Sequence, residues 1–233
     1  MTDPLPIVLI PGLRCSGRLY TPQLPQLWRF GPVTVGNHTY ADTLPAIADD
    51  ILTTAPPRFA LIGLSMGGYI AFEILRRAPD RVVKLGLLDT SSRADTPEQA
   101  QRRLEQIALA QAGRYEDTVT TQFGLLVHPS RRVDAELWQT YQLMAQEIGP
   151  EVFVRHQRAI SQRVDSRADL GRIKVPTLVL VGDTDELTPP SHAQEIAAGI
   201  KDAELVVVAK CGHLSTLERP EAVTAALVDL MTR

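Results

Sequence analysis

Cysteine is scarce in this chain: two among 233 residues. Cys15 and Cys211 have no spacing that suits a metal, so no metal site is expected, and nothing reads as a disulfide framework. Both are expected as free thiols in a reducing cytoplasm. Aromatic residues make up only 5% and net charge is −3. No basic cluster with interleaved aromatics occurs, so neither nucleic acid nor an anionic membrane is an expected partner. Long hydrophobic runs are missing too. The longest are strand-length, which leaves no candidate transmembrane helix. Met1-Thr2-Asp3-Pro4 does not open a signal peptide. A cytoplasmic protein is therefore expected, with oligomeric state left open.

The hydrophobic fraction is 44%, ample for one buried core. The length fits one α/β domain with an insertion. The most informative stretch is Leu61-Ile62-Gly63-Leu64-Ser65-Met66-Gly67-Gly68-Tyr69. An apolar run, read as a strand over Phe59–Leu64, ends in a glycine-flanked serine, and a helix-like segment follows at once. That is the strand–turn–helix context of a nucleophile elbow. Gly63 and Gly67 are expected because a Cβ on either side of the turn would collide with its neighbours.

Other strands are read at Ile7–Ile10, Val33–Val35, Val82–Leu88, Thr177–Val181 and Glu204–Val208, as short apolar runs rich in β-branched residues. Helical stripes lie at 44–52, after Ser65, at 191–200 and at the C-terminus. Repeated strand–helix units with near-continuous apolar strands imply a parallel sheet covered on both faces. From about Thr96 to Asp169 the alternation stops. Leu104, Ile107, Ala108 and Gln111 carry one helical stripe. Leu137, Tyr141, Met144 and Ala145 carry another, closed by Gly149-Pro150. Phe153, His156 and Ile160 suggest a third. Three or four inserted helices are expected, packed on Phe123, Trp138, Tyr141 and Met144.

Functional residues of such sheets gather at the carboxyl ends of the strands. Ser65 needs a base, and of five histidines only His213 sits in a glycine-containing loop between a strand and an apolar helix. His38 follows a strand and is a candidate pocket residue; His128, His156 and His192 are read as having no role. An orienting acid is open on topology among Asp89, Asp183 and Asp185. Backbone N–H groups of Leu13 and Met66 are the expected oxyanion donors. Arg14, beside that loop, is a candidate pocket guanidinium for a carboxylate-bearing substrate.

At this point the chain resembles the α/β-hydrolase fold superfamily. Ser65, Asp185 and His213 follow its serine–acid–histidine order. The loop Gly182-Asp183-Thr184-Asp185-Glu186-Leu187-Thr188-Pro189 is similar to the family pattern Gly-x-x-Asp-x-x-x-Pro, whose acid falls at Asp185. Gly212-His213 followed by Glu218-Arg219-Pro220 is similar to its terminal histidine signature. Pro11-Gly12 departs from the His-Gly of many relatives. With six residues before the first strand, the resemblance implies a reduced, six-stranded, mostly parallel sheet with helices on both faces and an inserted helical cap. The core would span 1–92 and 171–233, with the cap at 93–170. The implied activity is a serine hydrolase on a small carboxylic ester, thioester or lactone, with no cofactor. Carbon–carbon bond hydrolysis of a diketone acid and a low-turnover ligand receptor are the alternatives. Ser65 in place of Asp disfavours a dehalogenase.

Overall fold

The computed structural model describes residues 4–233. The elements run β1 (Ile7–Ile10), α1 (Leu24–Leu27), β2 (Val33–Val35), α2 (Leu44–Thr54), β3 (Phe59–Leu64), α3 (Met66–Arg77) and β4 (Val82–Leu88). Three longer helices follow: α4 (Pro97–Gln111), α5 (Tyr115–Leu126) and α6 (Ala135–Ser161). The chain then returns through β5 (Thr177–Gly182), α7 (Pro190–Gly199), β6 (Glu204–Val208), α8 (Ser215–Glu218) and α9 (Pro220–Thr232).

The six strands form one sheet in the order β2-β1-β3-β4-β5-β6, and every neighbouring pair is parallel. All residues of β1, β3 and β5 are buried, as strands covered on both faces must be. One apolar layer joins the sheet to α2, α3 and α7. The other joins it to α1, α9 and the inserted helices. The chain reverses its direction of travel across the sheet between β1 and β3. The loops after those two strands therefore flank the crevice where ligands of open α/β sheets bind.

The inserted helices leave the core after β4 and rejoin it before β5. Their aromatic packing is as expected: Phe123 lies 4.9 Å from Trp138 and 5.7 Å from Tyr141 between ring centroids. Gly149, with φ of 73°, breaks α6 just ahead of Pro150. α5 is a fourth helix, with Tyr115, Val119, Phe123 and Leu126 buried along one face. The expected stripe on α4 is wrong by rotation. Leu104 is 59% exposed, and Ala108 and Gln111 also face water. Of the expected stripe only Ile107 turns inward, and Arg103, Gln106 and Ala110 join it there. The reason is tertiary. Arg103 binds Asp95 and Gln157, and these contacts override the placement of one leucine.

Among the described residues no helix is long and apolar enough to cross a membrane. Leu104→Gln should change stability by no more than about 0.5 kcal/mol, as exposed substitutions do. Ile62→Ala, in the middle of β3 and fully buried, should cost about 2–5 kcal/mol. Urea denaturation of both variants checks the rotation of α4; a large loss for Leu104→Gln would refute it.

Candidate active site

Ser65 stands between β3 and α3 with φ of 55° and ψ of −115°, a region that non-glycine residues rarely enter. The surroundings hold it there. Its N–H donates to Leu88 O at 2.9 Å, and its carbonyl accepts from Gly68 N at 2.9 Å and Thr90 Oγ1 at 2.8 Å. A Cβ on Gly63 would strike the backbone of Gly67, and one on Gly67 would strike the carbonyl of Ile10. Those two glycines let β3, α3 and the end of β1 approach closely enough to force the turn. Ser65 lines a cavity of about 270 Å³ that His213 and Leu13 also line. Its Oγ makes no hydrogen bond among the described residues.

His213 and Asp185 are joined directly, with Nδ1 2.7 Å from Asp185 Oδ2. Asp185 is otherwise saturated. Its Oδ1 accepts from Leu187 N at 2.9 Å and Thr188 N at 3.0 Å, and its Oδ2 from Thr188 Oγ1 at 2.7 Å. Burial pushes this carboxyl up, but His213 and these donors outweigh it and hold it below the usual carboxylate range. Burial pushes the imidazole down, and the Asp185 carboxylate outweighs it, so His213 titrates above its ordinary 6.5.

The three acids left open by topology separate by partner. Asp183 accepts from Lys210 N at 2.9 Å and Cys211 N at 3.1 Å, closing the loop ahead of the histidine. Asp89 accepts from Gly182 N at 3.0 Å and pairs with Ser215 Oγ. Burial, with Asp185 nearby, drives the Asp89 carboxyl well above the usual range. Only Asp185 reaches the imidazole.

The N–H groups of Leu13 and Met66 have no acceptor among the described residues. For Met66 this follows from its place in the first turn of α3, where N–H groups lack intrahelical partners. Two positioning residues escaped sequence reasoning. Thr188 donates to Asp185, although the Asp-x-x-x-Pro spacing brackets it. Glu218, 1% exposed, accepts from Gly212 N and His128 N, both at 2.8 Å, and so anchors the His213 loop. His192, read from sequence as having no role, also lines the cavity.

The pocket assignments of Arg14 and His38 are corrected. Neither lines the cavity. Arg14 is fully buried, with φ of 63°. Its guanidinium lies 3.8 Å from the Phe153 ring centroid and donates to Thr118 Oγ1 at 2.6 Å and to Gln122 Oε1. Those contacts occupy both terminal nitrogens, leave the buried Nε without a partner, and tie the loop after β1 to α5 and α6. His38 lies behind the same loop, 3.4 Å from Gly12 O, and is stacked on His156 at 4.6 Å. His156 Nε2 donates to His38 O at 2.9 Å, while its buried Nδ1 has no partner. That arrangement suits a neutral His156, because a second N–H on its ring would have no acceptor. Cys15 and Cys211 are free and buried. Burial pushes the Cys15 thiol up to about 12, which leaves it a poor nucleophile. No group of three or more metal-ligating side chains occurs among the described residues.

The family model for the alpha/beta hydrolase fold matches residues 34–220. A pimeloyl-[acyl-carrier protein] methyl ester esterase of Neisseria meningitidis is 27% identical over 222 residues, covering 90% of this chain and 85% of that protein. A thermophilic esterase from Thermogutta terrifontis, solved with malate bound, is 28% identical with a TM-score of 0.89, over 98% of this chain and 89% of that one. The enol-lactonase from Burkholderia xenovorans LB400 shares the fold at 24% identity and a TM-score of 0.89, over 99% of this chain and 92% of that one.

The histidine stack generates a pH dependence. Burial lowers His38 to about 4 and His156 to about 3, from an ordinary 6.5. Below 6.5 the unfolded chain binds more protons at these sites than the folded one, so their contribution to stability falls with pH from about 6.5 towards about 4. His213, shifted upward, acts in the opposite sense. The double variant His38→Gln/His156→Gln should show a shallower loss of stability over this window than the wild type. Denaturant melts across the window measure it; an unchanged slope would refute the neutral stack.

Proposed function

The chain belongs to the alpha/beta hydrolase fold family, and on that premise we propose that it is a serine hydrolase cleaving a small carboxylic ester, thioester or lactone through an acyl-enzyme on Ser65. The observation that carries this reading is the 2.7 Å contact between His213 and Asp185 beside the cavity that a strained serine also lines. Ser65 Oγ attacks the carbonyl carbon while His213 Nε2 takes its proton. Asp185 holds the Nδ1–H tautomer and stabilises the imidazolium. The N–H groups of Leu13 and Met66 receive the developing oxyanion. His213 passes its proton to the departing alcohol, thiol or enol. Water, activated by the same imidazole, then releases the acid from Ser65. The Ser65–His213 hydrogen bond forms when substrate enters, as such bonds often tighten only in the complex. That the meningococcal and Thermogutta relatives are esterases supports the substrate class.

A panel of esters, thioesters and lactones, run beside Ser65→Ala, tests the assignment. Ser65→Ala should remove turnover and labelling by a serine-directed phosphonate while leaving the folded state intact; retained turnover would overturn it. Asp185→Asn should lower kcat by about 10⁴, the cost of a wrong tautomer. If Asp89→Asn is the damaging change instead, the acid is misassigned. The raised His213 should also place the acidic limb of the wild-type kcat/KM profile above pH 6.5, since only the neutral ring accepts the serine proton. A limb well below that value would count against Asp185 as its partner.

A further inference from the structure

α4 turns Arg103 and Gln106 inward and leaves Leu104 in water. A helix that packs on an apolar core has the opposite sense. Arg103 and Gln106 line the cavity that Ser65 lines, and so do Arg93, Arg102 and Arg163. Glu186 is the one carboxylate on that wall among the described residues, and it is paired with Arg132 at 3.1 Å. Four guanidiniums therefore face the cavity with no free carboxylate beside them.

The pairing behind the wall leaves positive charge unmatched. Arg93 is paired with Glu195 at 2.9 Å. Asp95 serves two cations at once, Arg103 and Arg163, each at 2.5 Å. Its side chain is only 3% exposed, and those of Arg103 and Arg163 are 18% and 6% exposed. One carboxylate between two guanidiniums leaves an excess charge where water screens it poorly. Arg102, at the exposed edge of the same wall, makes no ion pair or hydrogen bond among the described residues. Gln106 accepts from Gln157 through its side-chain oxygen, which leaves its NH₂ group without a partner there.

We infer that this wall is an anion subsite, and that the substrate carries a carboxylate remote from its scissile carbonyl, bound by Arg102 beside the Arg103–Asp95–Arg163 cluster. Calling the ligand a substrate rests on the hydrolase reading. A guanidinium matches a planar carboxylate with two parallel donors, which an ammonium cannot do. One unpaired guanidinium plus one excess charge leave two positive charges, more than enough to offset one carboxylate. Arg14, fully buried and stacked on Phe153, cannot fill this role. A contact made equally in the ground and transition states lowers KM rather than raising kcat, so the subsite acts mainly on KM.

The test compares monomethyl adipate with methyl hexanoate at neutral pH, for the wild type, Arg102→Ala and Arg102→Glu. Arg102 is exposed and unpaired, so both variants should fold. The wild type should favour the half-ester by about tenfold or more in kcat/KM, the scale of one charge-assisted hydrogen bond. Arg102→Ala should cut that ratio about tenfold, mostly through KM, and Arg102→Glu should cut it further. Added salt should shrink the preference. A second readout needs no turnover: adipate should bind the wild type by titration calorimetry, adipamide should not, and Arg102→Ala should weaken adipate binding. A wild-type ratio near one, or a ratio that neither substitution moves, overturns the subsite. If neither ester is cleaved but adipate binds through Arg102, the subsite stands and the hydrolase reading falls. If both esters are cleaved alike and adipate does not bind, the subsite falls and the hydrolase reading stands.

Discussion

The constraint on which the site depends is the close approach of three backbones at Ser65. β3, the start of α3 and the end of β1 meet where only Gly63 and Gly67 leave room. Ser65 is driven to a positive φ as a result, at a cost of roughly 1–3 kcal/mol for such a conformation. Its surroundings offset that cost. β3 is buried along its whole length, and both polar backbone atoms of Ser65 are hydrogen-bonded. The same turn brings the first N–H of α3 and the loop after β1 to one side of the serine. Stability and site geometry are thus set by the same few contacts.

The histidine loop depends on a second arrangement, in which three buried carboxyls surround His213 and do different things. Asp185 bonds the ring and is held below the usual carboxylate range. Asp89 and Glu218 are raised, chiefly by burial, and spend their oxygens on Gly182, Ser215, Gly212 and His128. Environment rather than residue type divides these roles. Two carboxyls shifted upward surround one shifted downward.

The inserted helices are not a separate lid. Leu126 O at the end of α5 accepts from His213 N at 2.8 Å and Leu214 N at 3.1 Å. Arg14 fastens the loop after β1 to α5, and Arg155 of α6 donates to Thr39 O at 2.9 Å in the loop after β2. The insertion therefore braces the loop after β1 and the histidine loop together.

Much of this was legible in the chain itself. The strand runs at 7–10, 33–35, 59–64, 82–88 and 204–208 coincide with β1 to β4 and β6, and β5 runs one residue beyond its reading. Buried parallel strands are continuous apolar segments, so their signal is local. Ser65 and His213 were legible for a related reason, because glycine-flanked loops at strand ends can be read from neighbours in sequence. The acid could not be chosen from local neighbours, and only the resemblance of the Gly182–Pro189 loop to the family pattern pointed to Asp185. Asp89, Asp183 and Asp185 all end strands, and which carboxylate meets the imidazole depends on loop geometry across the sheet. The inward face of α4 and the burial of Arg14 were misread for one common reason. Hydrophobic periodicity assumes an apolar neighbour, and a guanidinium beside a strand-end loop is taken to face a pocket. Here the neighbours are Asp95 and Gln157 in one case and Phe153 and Thr118 in the other, 54 residues or more away in sequence apart from Asp95. The chain alone determined the sheet, the serine turn and the histidine loop, because local sequence carries their physics. Tertiary structure decided which acid bonds the histidine and which arginines reach the cavity, because both depend on partners that only folding brings together.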